Sequence, residues 1–353
     1  MDTALTILAD VGVVVIGRNE ARVLRQSLTS IPAGVAGVVY ADSHSTDDSV
    51  AIARDLGVTV TELGGGLISA GRARNAGFAR LLECVPNVRF VQFIDGDCVL
   101  DPAWLGAATE AINADRGLAA VWGLRRERRP DASVYNRICD LEWRVPGVGE
   151  TAFFGGDALV RVEAFKAAGG YDPDVVCSED QELGTRLRSL GWRIYRLDAV
   201  MASHDARMTH VWQWWRRGVR RGTGYVQTWS RHRSRSDTLN IVRVAWWAAL
   251  LPLLAAALAP FTRGLSLLIL LLYPLRVLRI AATYRHGHAL VWGVHCVASA
   301  FPYFVGVVRQ AVRQGLGLRP RIIEYQHAPA RPTQTDATRL REPLPPPSST
   351  EAR

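Results

Sequence analysis

The chain has 353 residues, enough for one large domain or two of ordinary size. Its formal net charge is +9, and all but one of its 42 basic residues are arginine, Lys166 being the exception. Its five cysteines are odd in number and form no Cys-x-x-Cys pair, which argues against a disulfide framework or a structural zinc site and fits a reducing compartment. No basic segment precedes the first apolar run, so we expect no signal peptide.

The first third of the chain alternates between short apolar runs and stretches of helical periodicity. Strands are predicted at 11–16, 35–41, 58–63, 89–94 and 118–124. Helices are predicted near 20–30, 47–56, 70–83 and 102–115. Unbroken apolar strands that alternate with helices indicate an α/β domain with a largely parallel sheet. Ligands of such domains bind beyond the carboxyl ends of the strands.

The fourth apolar run leads directly into Asp95-Gly96-Asp97. At strand periodicity both carboxylates point to one face, where they repel each other unless a cation lies between them. Hard divalent cations prefer such oxygen ligands. A turn with two solvated carboxylates is the plainer interpretation. Polar residues also follow the first two strands, at Arg18-Asn19-Glu20 and at Asp42, so three strand ends converge on polar chemistry.

Two further polar or flexible features follow the predicted sheet. Gly155-Gly156 is a glycine pair, and Glu179-Asp180 falls in the first turn of a predicted helix. We expect Ser178 to cap this helix, Gln181 to complete a capping box, and Gly191 to follow its end. The plainer role of the two acids is to complement the helix dipole.

The composition changes after residue 206. Residues 211–236 carry seven arginines and four tryptophans. Apolar segments follow at 244–260, 265–275 and 289–308. The last of them is uncharged and long enough to cross a bilayer. The stretch 265–283, which contains Arg276 and Arg279, is expected to lie in the membrane interface or to re-enter it.

Taken together, residues 11–235 resemble the family 2 glycosyltransferases of the GT-A fold. Residues 13–31 resemble the family's first strand and helix, with Arg18 in place of the usual aromatic residue. Residues 41–49 are similar to its Asp-x-Gly-Ser-Thr-Asp turn, with His44 in place of glycine, and residues 69–78 resemble the segment near the nucleotide.

The later motifs of the family also have counterparts in this chain. Asp95-Gly96-Asp97 matches the D-x-D motif, Gly155-Gly156 the glycine-rich acceptor loop, and Glu179-Asp180 the E-D motif. His204 stands where many GT-A enzymes have a metal-binding histidine. The order and spacing of these motifs, more than any one of them, carry the resemblance.

The resemblance implies a Rossmann-like GT-A domain at 1–235. A membrane-associated helical region at 236–310 and a basic, Pro- and Ser-rich disordered tail at 311–353 are expected to follow. The implied reaction moves a sugar, with inversion, from a nucleoside-diphosphate sugar to an acceptor hydroxyl. It requires Mn²⁺ or Mg²⁺ to neutralise the diphosphate that leaves. A lipid-linked or membrane-proximal glycan is the expected acceptor.

The resemblance also implies a role for each candidate residue. The expected metal ligands are Asp97, Asp95 and His204. The expected contacts of the nucleotide sugar are Asp42, Arg74, Asp95, and Arg216 or Arg217. Gly155 and Gly156 are expected to let the acceptor approach, and the expected general base is Asp180, with Glu179 as the second choice.

Plainer roles remain open for several of these residues. Asp42 before a serine-rich turn is often only an Asx turn, and an arginine on a helix such as Arg74 often lies on a solvated face. A lone histidine such as His204 is more often structural than a ligand. Arg216 and Arg217 also suit an amphipathic helix beside a membrane, with snorkelling arginines.

Two other functions compete with sugar transfer. Asp95-x-Asp97-x-Val99 also fits haloacid-dehalogenase-like phosphatases, but these place the motif on their first strand and need a downstream lysine, for which only Lys166 is available. A catalytically inactive, glycosyltransferase-like membrane scaffold is the other alternative. No nucleic-acid partner is expected, because the arginine cluster directly precedes an apolar span, where membrane orientation explains it.

The expected location is the cell membrane, with the catalytic domain in the cytoplasm. Arginines flank the apolar region on both sides, at Arg231, Arg233, Arg235, Arg309, Arg313, Arg319 and Arg321. Because cytoplasmic flanks are enriched in basic residues, we expect an even number of crossings.

Overall fold

The amino-terminal part of the chain folds into alternating strands and helices. The structure is a computed structural model that describes residues 8–65, 67–145, 147–284 and 287–318. Its first elements are β1 (Val11–Gly17), α1 (Ala21–Thr29), β2 (Gly37–Asp42), α2 (Ser49–Asp55), β3 (Thr59–Glu62), α3 (Ala70–Cys84), β4 (Phe90–Asp95), β5 (Cys98–Leu100), α4 (Trp104–Ala114) and β6 (Leu118–Glu127). Every strand and helix predicted in this region is confirmed.

The remaining elements complete the sheet and then become helical. They are α5 (Val134–Arg144), β7 (Gly149–Glu150), β8 (Ala158–Arg161), α6 (Val162–Ala167), α7 (Glu179–Ser189), β9 (Arg193–His204), α8 (Val211–His232), α9 (Arg235–Ala245), α10 (Leu251–Leu258), α11 (Leu272–Thr283), α12 (Ala289–Ala298) and α13 (Ala300–Gly315). A π-helical turn at Trp246–Leu250 joins α9 to α10, and a 3₁₀ helix at Leu265–Leu271 precedes α11.

One mixed sheet organises residues 11–204. Its strand order is β3-β2-β1-β4-β8-β6-β9-β5, and β7 pairs with β9. The first four strands in this order are mutually parallel, as predicted. β8 lies antiparallel between β4 and β6, and β5 is antiparallel to β9, so the second half of the sheet departs from the parallel pattern.

The centre of the sheet is buried on both faces. Val13, Val14 and Val15 of β1 are fully inaccessible to solvent. Gly12 lies against α3, where a Cβ atom would come within 2.4 Å of the Leu81 side chain. This double burial explains why the strand reads as an unbroken apolar run and not as an alternating one.

The register of the parallel strands brings their polar ends together. Gly17 at the end of β1 pairs with Asp42 of β2, and Ile16 pairs with Asp95 of β4. The residues that follow these three strands therefore meet at one edge of the sheet, as the sequence predicts.

The start of α7 differs from its prediction. Ser178 precedes the helix but makes no side-chain cap, and its backbone has a left-handed φ of 59°. A Cβ on Gly224 of α8 would lie 2.1 Å from the Ser178 hydroxyl, so this side chain packs on α8 and not over the helix amides. Gln181 donates to Asp237 of α9 at 2.8 Å in place of forming a capping box. Gly191 follows the helix with φ 86°, as predicted.

The apolar region holds its backbone through side-chain hydrogen bonds. In the π-helical turn the Leu251 amide bonds to the Trp246 carbonyl, five residues back. The next amide in that pattern belongs to Pro252, which has no N–H, so the Trp247 carbonyl loses its helical partner. The Tyr273 hydroxyl donates to that carbonyl. The Ser266 hydroxyl donates to the Ala255 carbonyl at 2.7 Å in the same way.

The boundaries of the C-terminal regions also differ from the expectation. The final helix, α13, continues to Gly315, past the predicted start of the tail at residue 311. Its packing on α8 stabilises these residues. The rest of the predicted tail, residues 319–353, lies outside the described residues.

A buried hydrogen bond between α4 and β4 provides a test of the core. The Trp104 indole N–H donates to the Gln92 amide oxygen at 2.8 Å, and both side chains are fully buried. Trp104→Phe leaves that oxygen without its donor, which costs about 1–3 kcal/mol. We expect a lower midpoint of thermal unfolding by circular dichroism. Trp212→Phe, at a side chain that is 55% exposed, is the control and should leave the midpoint unchanged.

Candidate active site

Two adjoining cavities open where the polar strand ends meet. The first cavity has a volume of about 400 Å³ and is bounded by the ends of β1, β2, β4 and β9. The second cavity has a volume of about 350 Å³ and is bounded by β6, α5, α8 and the last two helices. The residues that line both are Arg125, Trp143, Gly156, Glu179, Asp180, Arg217 and Arg220.

Asp97 and His204 form a buried pair in the first cavity. β5 pairs antiparallel with β9 so that Cys98 lies opposite His204, which places the preceding Asp97 beside the imidazole. The His204 Nε2 to Asp97 Oδ2 distance is 2.9 Å, and the side chains are 9% and 7% exposed. Nδ1 of His204 is buried without a hydrogen-bond partner.

The electrostatics of this pair follow from burial and proximity. Burial alone lowers the pKa of His204, but the Asp97 carboxylate outweighs burial and raises that pKa above its ordinary value. Burial alone raises the pKa of Asp97, whereas the charge and hydrogen bond of His204 bring it well below its usual range. A proton shared between these groups therefore resides on the imidazole.

Asp95 has different partners from Asp97. β4 ends at Asp95 and the chain turns through Gly96 and Asp97, so strand periodicity does not extend across the motif. Asp95 Oδ1 accepts from Arg74 at 2.9 Å, and Oδ2 lies 3.7 Å from Arg125. Both carboxylates reach the first cavity. Their possible metal-binding atoms nevertheless belong to different clusters: Asp97 clusters with Cys98 and His204, and Asp95 clusters with Cys98 and Asp157.

The guanidinium of Arg74 is surrounded by acids. Besides Asp95, it contacts Glu179 Oε1 at 3.1 Å and Asp180 Oδ1 at 3.5 Å, and the side chain is only 2% exposed. Arg74 does not lie on a solvated face, because it is buried and its terminal nitrogens are directed at carboxylates. It lines the first cavity, and its expected contact with a phosphate stays a prediction. Arg74 links the D-x-D motif to the E-D motif.

Asp180 lies at the boundary of the two cavities. It is the second residue of α7, and its Oδ1 accepts a hydrogen bond from the Tyr171 hydroxyl at 3.2 Å. Burial is the largest influence on this carboxyl group, and together with the nearby Glu179 it raises the pKa of Asp180 to about 7 despite the opposing charge of Arg74. Burial and the neighbouring acid therefore outweigh the charge of Arg74.

The Asp42 side chain accepts hydrogen bonds from the loop that follows it. Its Oδ1 accepts from the Tyr40 and Ser45 hydroxyls at 3.0 and 2.5 Å, and its Oδ2 accepts from the Ser45 amide at 2.8 Å. The residue is 2% exposed and is not among the residues that line the two cavities. The Asx-type turn accounts for Asp42, and contact with a nucleotide does not follow from its position.

Two loops beside this turn are joined by hydrogen bonds. The Ser45 hydroxyl accepts from the backbone N–H of Asn19 at 2.8 Å, and Oδ1 of Asn19 accepts from the backbone N–H of Thr46 at 2.7 Å. Asn19 and His44 both have left-handed backbones, with φ of 59° and 61°. The conformation of His44 explains why glycine suits this position in the related turn.

The remaining predicted residues divide between the cavities. Arg217 lines both cavities and donates to Glu142, whereas Arg216 stacks on Trp212 and is not among the residues lining either cavity. Gly155 lines the second cavity and has open space at its Cβ position.

Gly156 lines both cavities and is required by its neighbours. A Cβ there would come within 2.6 Å of the Arg74 guanidinium and 3.0 Å of Asp95 Oδ2. The second glycine of the pair therefore accommodates the ion pair of Arg74 and Asp95. The approach of an acceptor at the first glycine, where the Cβ position is open, stays a prediction.

Sequence reasoning missed the residues that support Asp95 from behind. Asp157 is fully buried, accepts from the Asp95 amide at 2.9 Å, and lies 2.6 Å from Arg125. Arg125 lies over the Trp143 ring, whose edge meets the His204 ring at a centroid distance of 5.0 Å. An acid directly after the glycine pair was the available signal for Asp157; no local pattern marks Arg125.

Glu20 is a further acid of the first cavity. It accepts from Arg207 at 3.2 Å, and burial together with the charge of Asp97 raises the pKa of Glu20 to about 7. Lys166, which the phosphatase alternative needs, is exposed on α6 and lies outside both cavities. The arrangement gives that alternative no support.

The family model described as Glycosyl transferase family 2 matches residues 12–169. Over these residues, less than half of the chain, the sequence matches the family that its motifs resemble. The succinoglycan biosynthesis protein ExoA of Rhizobium meliloti (strain 1021) is 35% identical to this chain over 105 residues, which are 29% of the chain and 31% of ExoA. The chain therefore matches about a third of that relative's length. The family predicted from the sequence is confirmed.

A solved structure identifies the fold of the chain. The mannosyltransferase PcManGT from Pyrobaculum calidifontis, in complex with GDP-Man and Mn²⁺, superposes with a TM-score of 0.59 at 21% identity. The match covers 85% of this chain and 87% of PcManGT. The GT-A fold predicted from the sequence is confirmed, with three long apolar helices after it.

The acids around Arg74 give a stability test with a defined pH dependence. Arg74→Met leaves three carboxylates without their shared cation, and breaking a buried ion pair costs about 3–5 kcal/mol. The carboxylates repel each other only when ionised, so protonation relieves the penalty. We expect the loss in unfolding temperature, relative to the unchanged protein, to be larger at pH 8 than at pH 5.

Arg72→Met is the matched control for this change. Arg72 lies on the same helix and donates to the Leu67 carbonyl at 2.9 Å, with no acid among those contacts. Its loss should have the same small effect at both pH values. An Arg74→Met deficit that does not vary with pH contradicts the assignment.

Proposed function

We propose that this protein is a metal-dependent, inverting glycosyltransferase that moves a sugar from a nucleoside-diphosphate sugar to a hydroxyl of a membrane-proximal glycan. The position of Asp180 carries the proposal. It lies where a cavity containing Asp97 and His204 meets a second cavity, which several aromatic residues line. A base placed between two substrate sites is what a direct displacement requires.

The first cavity is the proposed donor site. Asp97 and His204 fit a divalent metal, because they offer a carboxylate oxygen and an imidazole nitrogen within 4.8 Å of each other. A nitrogen ligand beside a carboxylate favours Mn²⁺ over Mg²⁺, which prefers oxygen alone. When bound, the metal supplies positive charge to the departing diphosphate.

The other groups of the donor site have separate tasks. Asp95, paired with two arginines, positions the turn that carries Asp97 and has no direct part in holding the metal. Arg217 and Arg220, which line both cavities, are proposed phosphate contacts besides Arg74. The similarity to PcManGT, solved with GDP-Man and Mn²⁺, supports a donor and a metal of this class.

The proposed reaction is a single displacement at the anomeric carbon. The acceptor oxygen forms a bond to C1 as the bond from C1 to the phosphate oxygen breaks, and the nucleoside diphosphate leaves with that electron pair. Asp180 takes the proton of the acceptor hydroxyl. Arg74 and Tyr171 hold Asp180 in place, and attack opposite the leaving group inverts the configuration at C1.

The second cavity is the proposed acceptor site. Its wall includes Trp122, Phe153 and Trp214, together with Tyr303 from the last apolar region of the chain. Aromatic faces suit sugar rings and lipid chains, and the apolar helices bring this cavity close to a membrane. ExoA, named for succinoglycan biosynthesis, supports a glycan as the acceptor, and a lipid-linked form fits the neighbouring apolar surface.

The proposed location is the cell membrane with the catalytic domain in the cytoplasm. Within the described residues, three helices are long and apolar enough to cross a membrane. Arginines flank the apolar region on the side of the catalytic domain, as expected for a cytoplasmic face. The domain limits at 1–235, 236–310 and 311–353 remain proposals, with α13 extending to Gly315.

Donor binding tests the metal assignment. Asp97→Ala should abolish the Mn²⁺-dependent part of UDP or GDP binding, measured by calorimetry on the full-length protein, because the carboxylate that holds the ion is lost. Asp48→Ala is the control, since its side chain is exposed and makes no helix cap. Binding by Asp97→Ala as tight as that of the unchanged protein, with Mn²⁺ present, would falsify the assignment.

Asp180→Asn tests the base. The amide keeps the shape of the carboxylate but takes no proton, so the transfer rate should fall about 10²- to 10⁴-fold while donor affinity is retained. Because the pKa of Asp180 is about 7, the rate of the unchanged protein should rise with pH through neutrality as the carboxyl group ionises. Sugar transfer from labelled UDP- and GDP-sugars to a membrane lipid extract is the measurement.

Glu20→Gln is the control for the pH profile, because Glu20 also has a pKa of about 7. This variant should keep the rise in rate with pH. If the rise in rate with pH disappears in Glu20→Gln and persists in Asp180→Asn, the base is not Asp180. Absence of any Mn²⁺-dependent transfer or donor hydrolysis by the unchanged protein instead favours the inactive scaffold.

A further inference from the structure

The three apolar segments differ in how much of their surface the protein itself covers. Arg235–Leu258 and Leu265–Thr283 form the apolar hairpin, and their most apolar windows are 17% and 6% buried. Ala289–Gly315, the third apolar helix, comprises α12 and α13 and has 44% of its window buried. All three satisfy the length and hydropathy of a membrane span, so burial is what separates them.

The third apolar helix lies directly on the backbone of α8. A Cβ on Gly222 would be 1.9 Å from the Tyr303 carbonyl oxygen, and a Cβ on Gly306 would be 2.1 Å from the Val219 carbonyl oxygen. A Cβ on Gly218 would likewise be 2.8 Å from the Pro302 ring. Only glycine permits such contact, so these two helices are closely packed over several turns.

The contact extends along nearly all of α8. At one end the Trp214 indole donates to His295 Nδ1 at 3.0 Å, and at the other the Gln314 side chain donates to the Ser230 hydroxyl at 3.2 Å. The two helices therefore run parallel and side by side, and they share one environment along their length.

That environment is unsuited to the hydrocarbon core. α8 carries Arg216, Arg217, Arg220, Arg221 and Arg231. An arginine at the centre of a bilayer costs about 2.5–3.5 kcal/mol on insertion scales, and two adjacent pairs of them lie within the packed segment. A helix docked along α8 cannot enter the hydrocarbon core without it.

A polar residue within the third apolar helix, His295, has hydrogen-bond partners on α5 and α8. His295 is 5% exposed and its Nε2 lies 3.0 Å from Glu142 Oε1 of α5. An indole N–H only donates, so His295 Nδ1 accepts from Trp214, and Nε2 carries the proton that Glu142 receives as a hydrogen bond. His295 and Tyr303 also line the second cavity, so this helix forms part of its wall.

The apolar hairpin has the opposite character. Large side chains such as Leu253, Phe261 and Leu268 are 64%, 84% and 60% exposed. The Trp247 and Ala255 carbonyls are hydrogen-bonded within the hairpin, by the Tyr273 and Ser266 hydroxyls, as a bilayer requires. No acidic or basic residue occurs between positions 244 and 262, in the first arm and the turn. The second arm carries Arg276, which lies over the Trp247 ring at 4.1 Å, and Arg279, one turn before its end.

We propose that the apolar hairpin inserts into the hydrocarbon core of the bilayer, while the third apolar helix stays outside that core, docked on the catalytic domain as a wall of the second cavity. This replaces the sequence-based expectation, in which 289–308 spans the membrane and 265–283 lies in the interface. It retains an even number of crossings. It does not depend on the identity of the reaction, because it rests on packing and charge alone.

Spin-label accessibility on the full-length protein tests the proposal. Single cysteines replace exposed residues of the hairpin (Leu254, Leu268) or of the third apolar helix (Val308, Val312), with Leu190 as a water-exposed reference. The background carries Cys84→Ser and Cys296→Ser, because these two native cysteines are not buried. The protein is placed in vesicles of phosphatidylethanolamine and phosphatidylglycerol, and collisions with oxygen and with a water-soluble nickel chelate are compared.

The expected result separates the two segments. Labels at Leu254 and Leu268 should collide mainly with oxygen, and labels at Val308 and Val312 should be reached by nickel at least as well as by oxygen. Equal depth at Val308 and Leu268 overturns the proposal, as does nickel access at Leu254 and Leu268. Shielding of the hairpin labels from both reagents also overturns it, because a second copy of the chain then covers that surface.

Discussion

The arrangement of the site depends on one buried cation. Arg74 contacts Asp95, Glu179 and Asp180 with a side chain that is 2% exposed. Three carboxylates this close repel each other, and burial makes each charge more expensive, so the arginine is what allows the two motifs to share a small volume. Gly156 is required at the same point because any side chain there would displace the pair.

This constraint divides the acids into separate tasks. Asp95 is paired with Arg74 and Arg125, which leaves Asp97 and His204 as the pair suited to a metal. The charge of Arg74 only partly offsets the burial of Asp180, so the pKa of Asp180 is about 7, a value that suits proton transfer. The third apolar helix forms a wall of the second cavity, whereas the more exposed apolar hairpin is the part proposed to enter the membrane.

The sequence predicted what depends on local order. Buried parallel strands such as β1 and β4 read as continuous apolar runs, and the family motifs kept their order and spacing, so the fold and the cluster of polar strand ends were predictable. Side-chain partners were not, because Arg74 meets Glu179 across 105 positions and Asp95 across 21. Hydropathy also does not distinguish an apolar helix that faces lipid from one that is docked on α8. The docking depends on glycines of α8, which lie far from the apolar segment in the sequence.

The most direct measurement is the electron spin-echo envelope of Mn²⁺ bound to the full-length protein with GDP or UDP. We expect nitrogen modulation from a coordinated imidazole, lost in His204→Gln and retained in His210→Gln. A signal without nitrogen modulation, or one that His204→Gln leaves unchanged, contradicts the central claim that Asp97 and His204 hold the metal while Asp95 is held by arginines.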